Sequence, residues 1–251
     1  MSNATKIAII TGGSRGLGRS TVLHLAKQGV HSIFTYNSSP DEAKKVVAEA
    51  EGAKTISLKL DTGKVARFDA FVSEVRSALA QLGTDKFDYL VNNAGISNHT
   101  AFTKVTEEEL DQQYQVNFKG AFFLTQKLLP LIRDGGQIVN SSSGVTRVVN
   151  PDSVAYATFK GAVEVFTRYL AHDLGPRNIN VNTVAPGAVQ TDFSGGVVRD
   201  NPAVNKIVAS MTALGRPGLP EDIGQMLASL LSDANHWING QRIEVSGGMR
   251  L

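Results

Sequence analysis

The run Thr11-Gly12-Gly13-Ser14-Arg15-Gly16-Leu17-Gly18 follows the apolar segment Lys6 to Ile10 and opens an amphipathic segment that extends to about Gln28. A buried strand, a glycine-rich turn and a helix in this order are typical of a dinucleotide-binding site. Glycines allow a tight turn and a close approach of the backbone, and the unpaired N–H groups of the helix start attract phosphate. The spacing is Gly-x-x-x-Gly-x-Gly, and a turn of this kind alone also serves simple chain reversal.

Short apolar segments rich in β-branched residues alternate with longer amphipathic segments along the whole chain. The seven predicted strands are Lys6 to Ile10, His31 to Tyr36, Lys54 to Lys59, Tyr89 to Asn92, Gln137 to Ser141, Asn180 to Ala185 and Arg242 to Val245. Strands separated by helices form right-handed crossovers, hence a parallel sheet covered on both faces. We therefore predict an α/β fold of the Rossmann type, a single domain over residues 1–251 with about seven strands.

Composition excludes several classes of protein. The 251 residues include 25 Lys and Arg against 23 Asp and Glu, and no cysteine. Without cysteine there are no disulfides, thiolate metal sites or cysteine nucleophile, which agrees with a cytoplasmic location. A nearly neutral chain without a basic block predicts neither a nucleic-acid nor an anionic-membrane partner. The apolar run after Lys6 is too short for a signal peptide, and no stretch is long enough to span a bilayer. The N-terminal tail, Met1 to Thr5, is left out of the fold prediction.

The end of the second predicted strand bears on the choice of dinucleotide. In NAD-binding folds an acidic residue about 20 positions beyond the glycine turn binds the ribose hydroxyls. Here the strand ends in the uncharged run Tyr36-Asn37-Ser38, and Arg15 is available for a 2′-phosphate. This favours NADP(H) over NAD(H). The nearest acid belongs to Ser39-Pro40-Asp41-Glu42, which matches a capping box with proline at the first helical position. A further acid, Asp61, either accepts from an adenine amino group or forms a strand-end turn.

A pair of reactive side chains lies in the segment Ser153 to Lys160, which is predicted to begin a helix. Tyr156 and Lys160 are four residues apart and so share one helical face. A neighbouring ammonium stabilises a phenolate, so we expect Lys160 to lower the pKa of Tyr156 towards the range where general acid/base catalysis works. Ser143 follows the fifth strand and could donate a hydrogen bond to the same substrate oxygen.

Together these motifs resemble those of the short-chain dehydrogenase/reductases of about 250 residues, and the resemblance covers the whole chain. The motifs occur in family order: the glycine turn, Asn92-Asn93-Ala94-Gly95, Asn117, Ser143, Tyr156-x-x-x-Lys160, Pro186-Gly187-Ala188-Val189-Gln190-Thr191, and Gly247-Gly248-Met249 near the C-terminus.

The resemblance implies a role for each matching residue. Tyr156 would be the general acid/base and Ser143 would polarise the carbonyl. Lys160 would bind the nicotinamide ribose, and Asn117 would hold a water of a proton relay. The remaining cofactor contacts implied are Asn93, Ala94 and Gly95 along the dinucleotide, Asp61 and Thr62 at the adenine, and Pro186, Gly187, Val189 and Thr191 at the nicotinamide.

The segment from about 191 to 219 is where the substrate is predicted to bind. It is rich in glycine and proline, with one predicted helix from about Ala203 to Thr212, and long connections of this kind often cover binding sites. Its apolar residues Phe193, Val197, Val198 and Met211 predict an apolar lining. Its only basic residues, Arg199, Lys206 and Arg216, do not form a cluster, which gives no signal for a phosphopantetheine carrier.

The function implied is the interconversion of a carbonyl and a secondary alcohol with NADP(H), in a pattern nearest to the 3-oxoacyl-thioester reductases. Two alternatives remain open at this point: an NAD(H)-dependent alcohol dehydrogenase of the same family, and a dinucleotide-binding sensor without turnover. The family also implies a homotetramer or dimer, with Phe118, Phe122 and Phe123 in the core or at a subunit interface. The five histidines lack metal-ligand spacing, and His99 is either a plain loop residue or a neighbour of the substrate.

Overall fold

A seven-stranded parallel sheet forms the centre of this computed structural model, which describes residues 5–251. The strand order is β3-β2-β1-β4-β5-β6-β7. The strands are β1 (Ile7–Ile10), β2 (His31–Tyr36), β3 (Thr55–Lys59), β4 (Phe87–Asn92), β5 (Ile132–Ser141), β6 (Asn180–Pro186) and β7 (Arg242–Val245). The predicted fold class is confirmed, and all seven predicted strands are present. Of the N-terminal tail, Met1 to Ala4 lie outside the described residues.

Helices cover both faces of the sheet, as the alternation of segments predicts. They are α1 (Gly16–Lys27), α2 (Pro40–Glu49), α3 (Phe68–Gln81), α4 (Glu107–Tyr114), α5 (Gly120–Leu128), α6 (Val154–Asp173), α7 (Val197–Asp200), α8 (Pro202–Ser210) and α9 (Pro220–Leu230). One apolar core joins the sheet to α1, α2 and α9, and a second joins its other face to α3, α5 and α6. None of the helices in residues 5–251 combines the length and apolarity that a bilayer span requires.

The central strand β1 shows why the sheet is buried on both sides. Ile7 and Ile9 belong to the core beneath α3 and α5, whereas Ala8 and Ile10 belong to the core beneath α1 and α9. Side chains of a strand point alternately to its two faces. An uninterrupted apolar run is therefore what a central parallel strand needs.

The sheet reverses its order between β1 and β4, and this brings the sequence motifs together. Parallel strands end at one edge, and ligands of open α/β sheets bind where the order reverses at that edge. The glycine turn follows β1 and Asn93-Ala94-Gly95 follows β4, while Ser143 and the run from Gly187 follow β5 and β6.

Three local predictions are wrong in detail. Pro40 is the first residue of α2, but Ser39 makes no side-chain cap hydrogen bond, and the Glu42 carboxylate accepts from Lys45 instead of closing a capping box. Strand β5 begins five residues before Gln137, because the run around Gly135 that reads as a turn remains in the strand. The 191–219 segment has two short helices, α7 and α8, where one was predicted. Ser194, Gly195 and Gly196 have positive φ, and the chain turns there.

Candidate active site

The glycine turn is fixed by hydrogen bonds from both neighbouring strands. The Thr11 hydroxyl oxygen accepts from the backbone N–H groups of Asn93 and Ala94, both at 2.9 Å. The Asn93 amide donates back to the Thr11 carbonyl at 3.0 Å, and the Gly12 N–H donates to the Thr35 hydroxyl at 3.1 Å. These bonds make the turn and the segment after β4 one unit. They also assign Asn93 a structural role in addition to the predicted cofactor contact.

The turn has the features that a pyrophosphate requires. Gly12 and Gly16 have φ values of 69° and 55°, which side chains rarely adopt. A Cβ on Gly18 would lie 2.2 Å from the Gly12 carbonyl oxygen, so only glycine allows this approach. Helix α1 has no side-chain cap and no acidic residue in its first turn, which leaves its N–H groups for an anion. The residues present therefore fit a dinucleotide phosphate.

The tip of β2, where the sequence predicts the adenosine to bind, carries no acidic side chain. Tyr36 is half-buried and the next two residues, Asn37 and Ser38, are exposed. Arg15 occupies the N-cap position of α1 with an exposed side chain, next to the buried Ser14. The nearest acid, Asp41, accepts from Lys44 at 3.1 Å.

Asp61 takes the turn-forming role that its position after β3 allows. Its Oδ1 accepts from the Gly63 N–H at 2.9 Å, and the intervening Thr62 is buried. The side chain thus closes a short turn of its own backbone. A contact with adenine stays a prediction.

Helix α6 presents Tyr156 and Lys160 at the carboxyl edge of the sheet, where both are buried. The Lys160 ammonium lies 5.6 Å from the centre of the Tyr156 ring and donates to the Ser141 carbonyl at 2.8 Å. The Ser143 side chain is a neighbour of Tyr156 and acts to lower the pKa of its phenol. The structure thus brings together the three residues that the sequence proposes for catalysis.

Protonation of the pair differs from the sequence-based expectation. Burial raises the pKa of Tyr156 to about 12, with the neighbouring Ser143 side chain acting in the opposite direction. Burial also lowers the pKa of Lys160 to about 8. The pKa of Tyr156 is therefore shifted in the direction opposite to the expected one, because loss of solvation disfavours the phenolate.

Asn117 lies in a π-helical turn, Gln115–Lys119, between α4 and α5. Such turns are rare and are frequent at functional sites. The buried Asn117 side chain accepts from the Ile96 N–H at 3.1 Å and donates to the Ile96 carbonyl at 2.9 Å. A Cβ on Gly95 would lie 2.8 Å from the Asn117 amide oxygen and 3.4 Å from the Lys160 ammonium nitrogen, so both polar groups meet at this glycine.

The chain after β6 completes this edge of the sheet. Gly187 packs on the backbone of Ser246 so closely that a Cβ would lie 2.9 Å from its Cα. Val189 pairs with Gly218 in a short parallel bridge, which fixes the run that begins at Pro186. The buried Thr191 lies beside Gly16 of the glycine turn. The predicted nicotinamide segment is thus adjacent to the predicted phosphate segment.

The 191–219 segment contributes an aromatic ring to the site. The Phe193 ring is 6.0 Å from that of Tyr156 and is 44% exposed. Val197 is also partly exposed, whereas the sulfur of Met211 contacts the Arg250 guanidinium. Arg199 pairs with Asp192 and Asp200, and Arg216 pairs with Asp222, so these two basic residues carry internal partners.

Other polar residues near the site were missed or left open by the sequence. His99 is exposed and its Nδ1 lies 3.4 Å from the Ser153 hydroxyl, just before α6. Glu164 bonds to the residues on either side of Ser143, and its only sequence signal is the four-residue step from Lys160. Within residues 5–251 no group of three potential metal ligands converges.

Comparison with known proteins identifies the family of this chain. A family model described as "Enoyl-(Acyl carrier protein) reductase" matches residues 12–250. The chain is a member of the short-chain dehydrogenase/reductases, and its oxidoreductase class follows from that membership.

Its relatives include reductases of ring compounds. Tetrahydroxynaphthalene reductase PfmaG of Pestalotiopsis fici is 37% identical over 258 residues, which cover 98% of this chain and 91% of that protein. Among solved structures, the promiscuous reductase LugOII, described as catalysing keto-reduction at C1 during lugdunomycin biosynthesis, has a TM-score of 0.94, 36% identity and full coverage of both chains. The angucycline C-6 ketoreductase LanV with bound NADP has a TM-score of 0.90 and 34% identity, with 99% and 97% of the two chains covered.

Proposed function

We propose that this protein is an NADPH-dependent ketoreductase that converts a fused-ring ketone to a secondary alcohol. The observation that carries the proposal is the buried pair of Tyr156 and Lys160 with the half-buried Ser143, beside an uncapped, glycine-rich helix start. The side chains of Ser143 and Tyr156 are neighbours, and we infer that a single substrate oxygen contacts both hydroxyl groups. A dinucleotide sensor without turnover has no need of such an acid/base set.

Each of the three side chains has a distinct role in this reaction. Ser143 donates a hydrogen bond to the carbonyl oxygen and polarises it. Tyr156 transfers its phenolic proton to that oxygen as the carbonyl carbon is reduced. Because the pKa of Tyr156 is raised to about 12, the phenol is protonated at neutral pH, which is the form that reduction needs. Lys160 stabilises, through its positive charge, the phenolate that this proton transfer leaves on Tyr156.

The nucleotide is proposed to lie across the carboxyl edge of the sheet. When bound, NADPH supplies the hydride. The glycine turn would hold the pyrophosphate, and Arg15 would pair with the 2′-phosphate at the acid-free end of β2. Val189 and Thr191 would orient the carboxamide, while Asn117 would connect Lys160 to solvent through water. The NADP in the LanV structure supports this choice of nucleotide.

The substrate class rests on both the relatives and the segment from 191 to 219, which we propose as a lid. One relative is named as a naphthalene reductase and one solved neighbour as an angucycline ketoreductase. In this chain, Phe193 offers an aromatic face next to Tyr156. Flat rings stack favourably on such a face. The internal pairing of Arg199 and Arg216 leaves little free positive charge for a phosphorylated carrier.

Self-association and a cytoplasmic location are part of the proposal. An aromatic cluster in which Phe166 of α6 stacks on Phe122 and meets Phe118 edge-on extends to the partly exposed Tyr114. Apolar surface of this kind favours a homodimer or homotetramer. The cysteine-free composition supports a reducing compartment, where NADPH favours the reductive direction.

The test is NADPH oxidation with a bicyclic aromatic ketone, comparing wild type with Tyr156→Phe. We expect a loss of about a thousandfold in kcat, since general acid catalysis contributes about 10²–10⁴, with the NADPH Kd unchanged within about twofold. Tyr169→Phe, on the exposed part of α6, is the matched control and should retain full activity. An enoyl thioester serves as the competing substrate. Reduction of its double bond in preference to any ketone, or no turnover at all by the wild type, would disprove the proposal.

A further inference from the structure

A carboxylate outside the catalytic set lies directly behind Ser143. Glu164 is one helical turn beyond Lys160 on α6, and its side chain is only 15% exposed. Its Oε1 accepts from the Ser142 hydroxyl at 2.6 Å, the Thr146 hydroxyl at 2.7 Å and the Arg242 Nε at 2.8 Å. One oxygen atom of α6 thus binds two residues of the Ser143 segment and one residue of β7.

One partner of Glu164 also holds the Ser143 backbone. The Arg242 guanidinium donates to the Ser143 carbonyl oxygen at 3.4 Å, and the Thr146 hydroxyl, whose single proton goes to Glu164, lies 2.9 Å from the same oxygen. Ser143 itself is just beyond the end of β5, so no strand pairing fixes it. Backbone bonds from the Ser142 N–H to Val184 at 2.8 Å and from the Thr146 N–H to the Ser143 carbonyl at 3.2 Å also hold this segment, and the side-chain contacts that converge on Glu164 add to them.

We propose that Glu164 is a positioning residue, which fixes Ser143 relative to Tyr156 for ketone reduction. The inference rests on the proposed function. An ionised carboxylate only accepts hydrogen bonds, and such charge-assisted bonds are roughly twice as strong as neutral ones. Because Glu164 and Tyr156 share α6, a rigid helix sets the distance between the acid and the Ser143 segment. A misplacement of about 1 Å at a reacting centre can cost on the order of a hundredfold in rate.

The ion-pair network makes Glu164→Gln an informative variant. Arg242 also donates to Glu244 at 3.1 Å, so neutralising Glu164 leaves the guanidinium with a second carboxylate. Glutamine keeps the length of the side chain and one acceptor oxygen. The variant therefore weakens the hold on the Ser143 segment without leaving a buried cation unpaired.

The experiment is a double-mutant cycle between Glu164→Gln and Ser143→Ala, measured as kcat for a bicyclic aromatic ketone. We expect Glu164→Gln to lower kcat about tenfold in wild type but about twofold or less in Ser143→Ala, because a residue that acts through Ser143 has no effect without it. The NADPH Kd should stay within about twofold. Equal losses in both backgrounds, or an unchanged kcat in the single variant, would overturn the proposal.

Two further variants complete the kinetic test. Thr146→Val removes a donor to Glu164 and should lower kcat about threefold with the same dependence on Ser143; it replaces Glu164→Gln if that protein does not fold. Asp134→Asn breaks the 2.7 Å pair with Arg177 beyond the far end of α6 and should leave kcat unchanged.

A crystal structure of Glu164→Gln tests the positioning role of Glu164 without a measurement of turnover. The Ser143 segment should move by about 1 Å relative to Tyr156. An unmoved Ser143 would refute the positioning role, whereas a displaced Ser143 in a protein that reduces no ketone would refute only the proposed function.

Discussion

The catalytic edge, residues 143–160, and the 191–219 segment lie side by side but are built in opposite ways. In the catalytic edge the two key side chains are almost entirely buried, with Tyr156 8% and Lys160 4% exposed, and their polar groups have partners within the protein. In the 191–219 segment apolar side chains face solvent, with Phe193 44%, Ile207 57% and Leu214 71% exposed. The acid/base groups are preorganised, whereas these apolar side chains of the segment remain largely exposed.

This difference assigns separate tasks to the two regions. Preorganised polar groups in a buried site stabilise charge without rearranging during the reaction. Exposed apolar side chains gain stabilisation only when a ligand covers them. Changes in the catalytic edge should therefore act on kcat, and changes in the 191–219 segment on KM.

The largest effect is expected for Lys160→Met. Loss of the ammonium should lower kcat by about a thousandfold, within the range of general acid/base contributions. The melting temperature at pH 7 should nevertheless not fall, because the folded protein holds a buried cation whose pKa is lowered to about 8. Burial of that charge opposes folding, and methionine removes it.

The pH dependence of stability can contradict the prediction for the melting temperature of Lys160→Met. Between pH 8 and the ordinary lysine pKa of 10.5 the unfolded chain binds more protons than the folded one. Stability of the wild type therefore rises with pH across this window, and the advantage of the methionine variant shrinks. Thermal melts at pH 7 and in that window measure this. A variant that melts well below wild type at pH 7 would show that the bond from Lys160 to Ser141 outweighs the burial of charge.

Arg15→Ala is the next largest change and tests the nucleotide end of the catalytic edge. We expect the Kd for NADPH to rise about tenfold or more, since a guanidinium–phosphate pair is lost, and the Kd for NADH to change about twofold or less. Fluorescence titration of the two reduced nucleotides measures this. Arg19→Ala is the matched control, because it removes the same charge one helical turn later, where Arg19 pairs with Glu49. Equal losses for NADPH and NADH would contradict the NADP assignment.

Phe193→Ala tests whether the 191–219 segment contributes to substrate binding. Removing the ring beside Tyr156 should raise KM for a bicyclic aromatic ketone about fivefold, in line with about 1 kcal/mol for an aromatic contact, and leave kcat nearly unchanged. KM for a small aliphatic ketone should not change. Trp237→Ala, at an exposed aromatic residue outside the segment, serves as control and should leave KM unchanged. A loss confined to kcat would place Phe193 with the catalytic groups instead.

The sequence could predict those features that neighbouring residues encode, but not those that depend on distant contacts. The strands, the glycine turn and the Tyr156–Lys160 face are encoded by residues close together in the chain, and β2 and β7 have the predicted bounds. The bonds of Glu164 to Ser142 and Arg242 join residues 22 and 78 positions apart, and no local pattern indicates them. The direction of the Tyr156 pKa shift also depends on burial, which only the folded protein defines.

The smallest effect is expected where the two regions are joined, at the C-terminal strap, residues 246–251. Arg147, four residues after Ser143, donates to both oxygens of Glu244 at 2.7 Å and to the Met249 carbonyl at 2.8 Å. The strap in turn accepts from the Ala213 and Leu214 N–H groups at the end of the 191–219 segment.

Arg147→Gln should therefore loosen the segment without changing the catalytic groups. We expect KM for the aromatic ketone to rise about twofold, kcat to stay the same, and amide exchange to become faster in residues 211–214, since exposed ion pairs contribute only about 0–1 kcal/mol. Hydrogen-exchange mass spectrometry measures the effect. Faster exchange around Ser143 with a lower kcat would mean instead that Arg147 holds the catalytic edge, and that the two regions are not separable at this point.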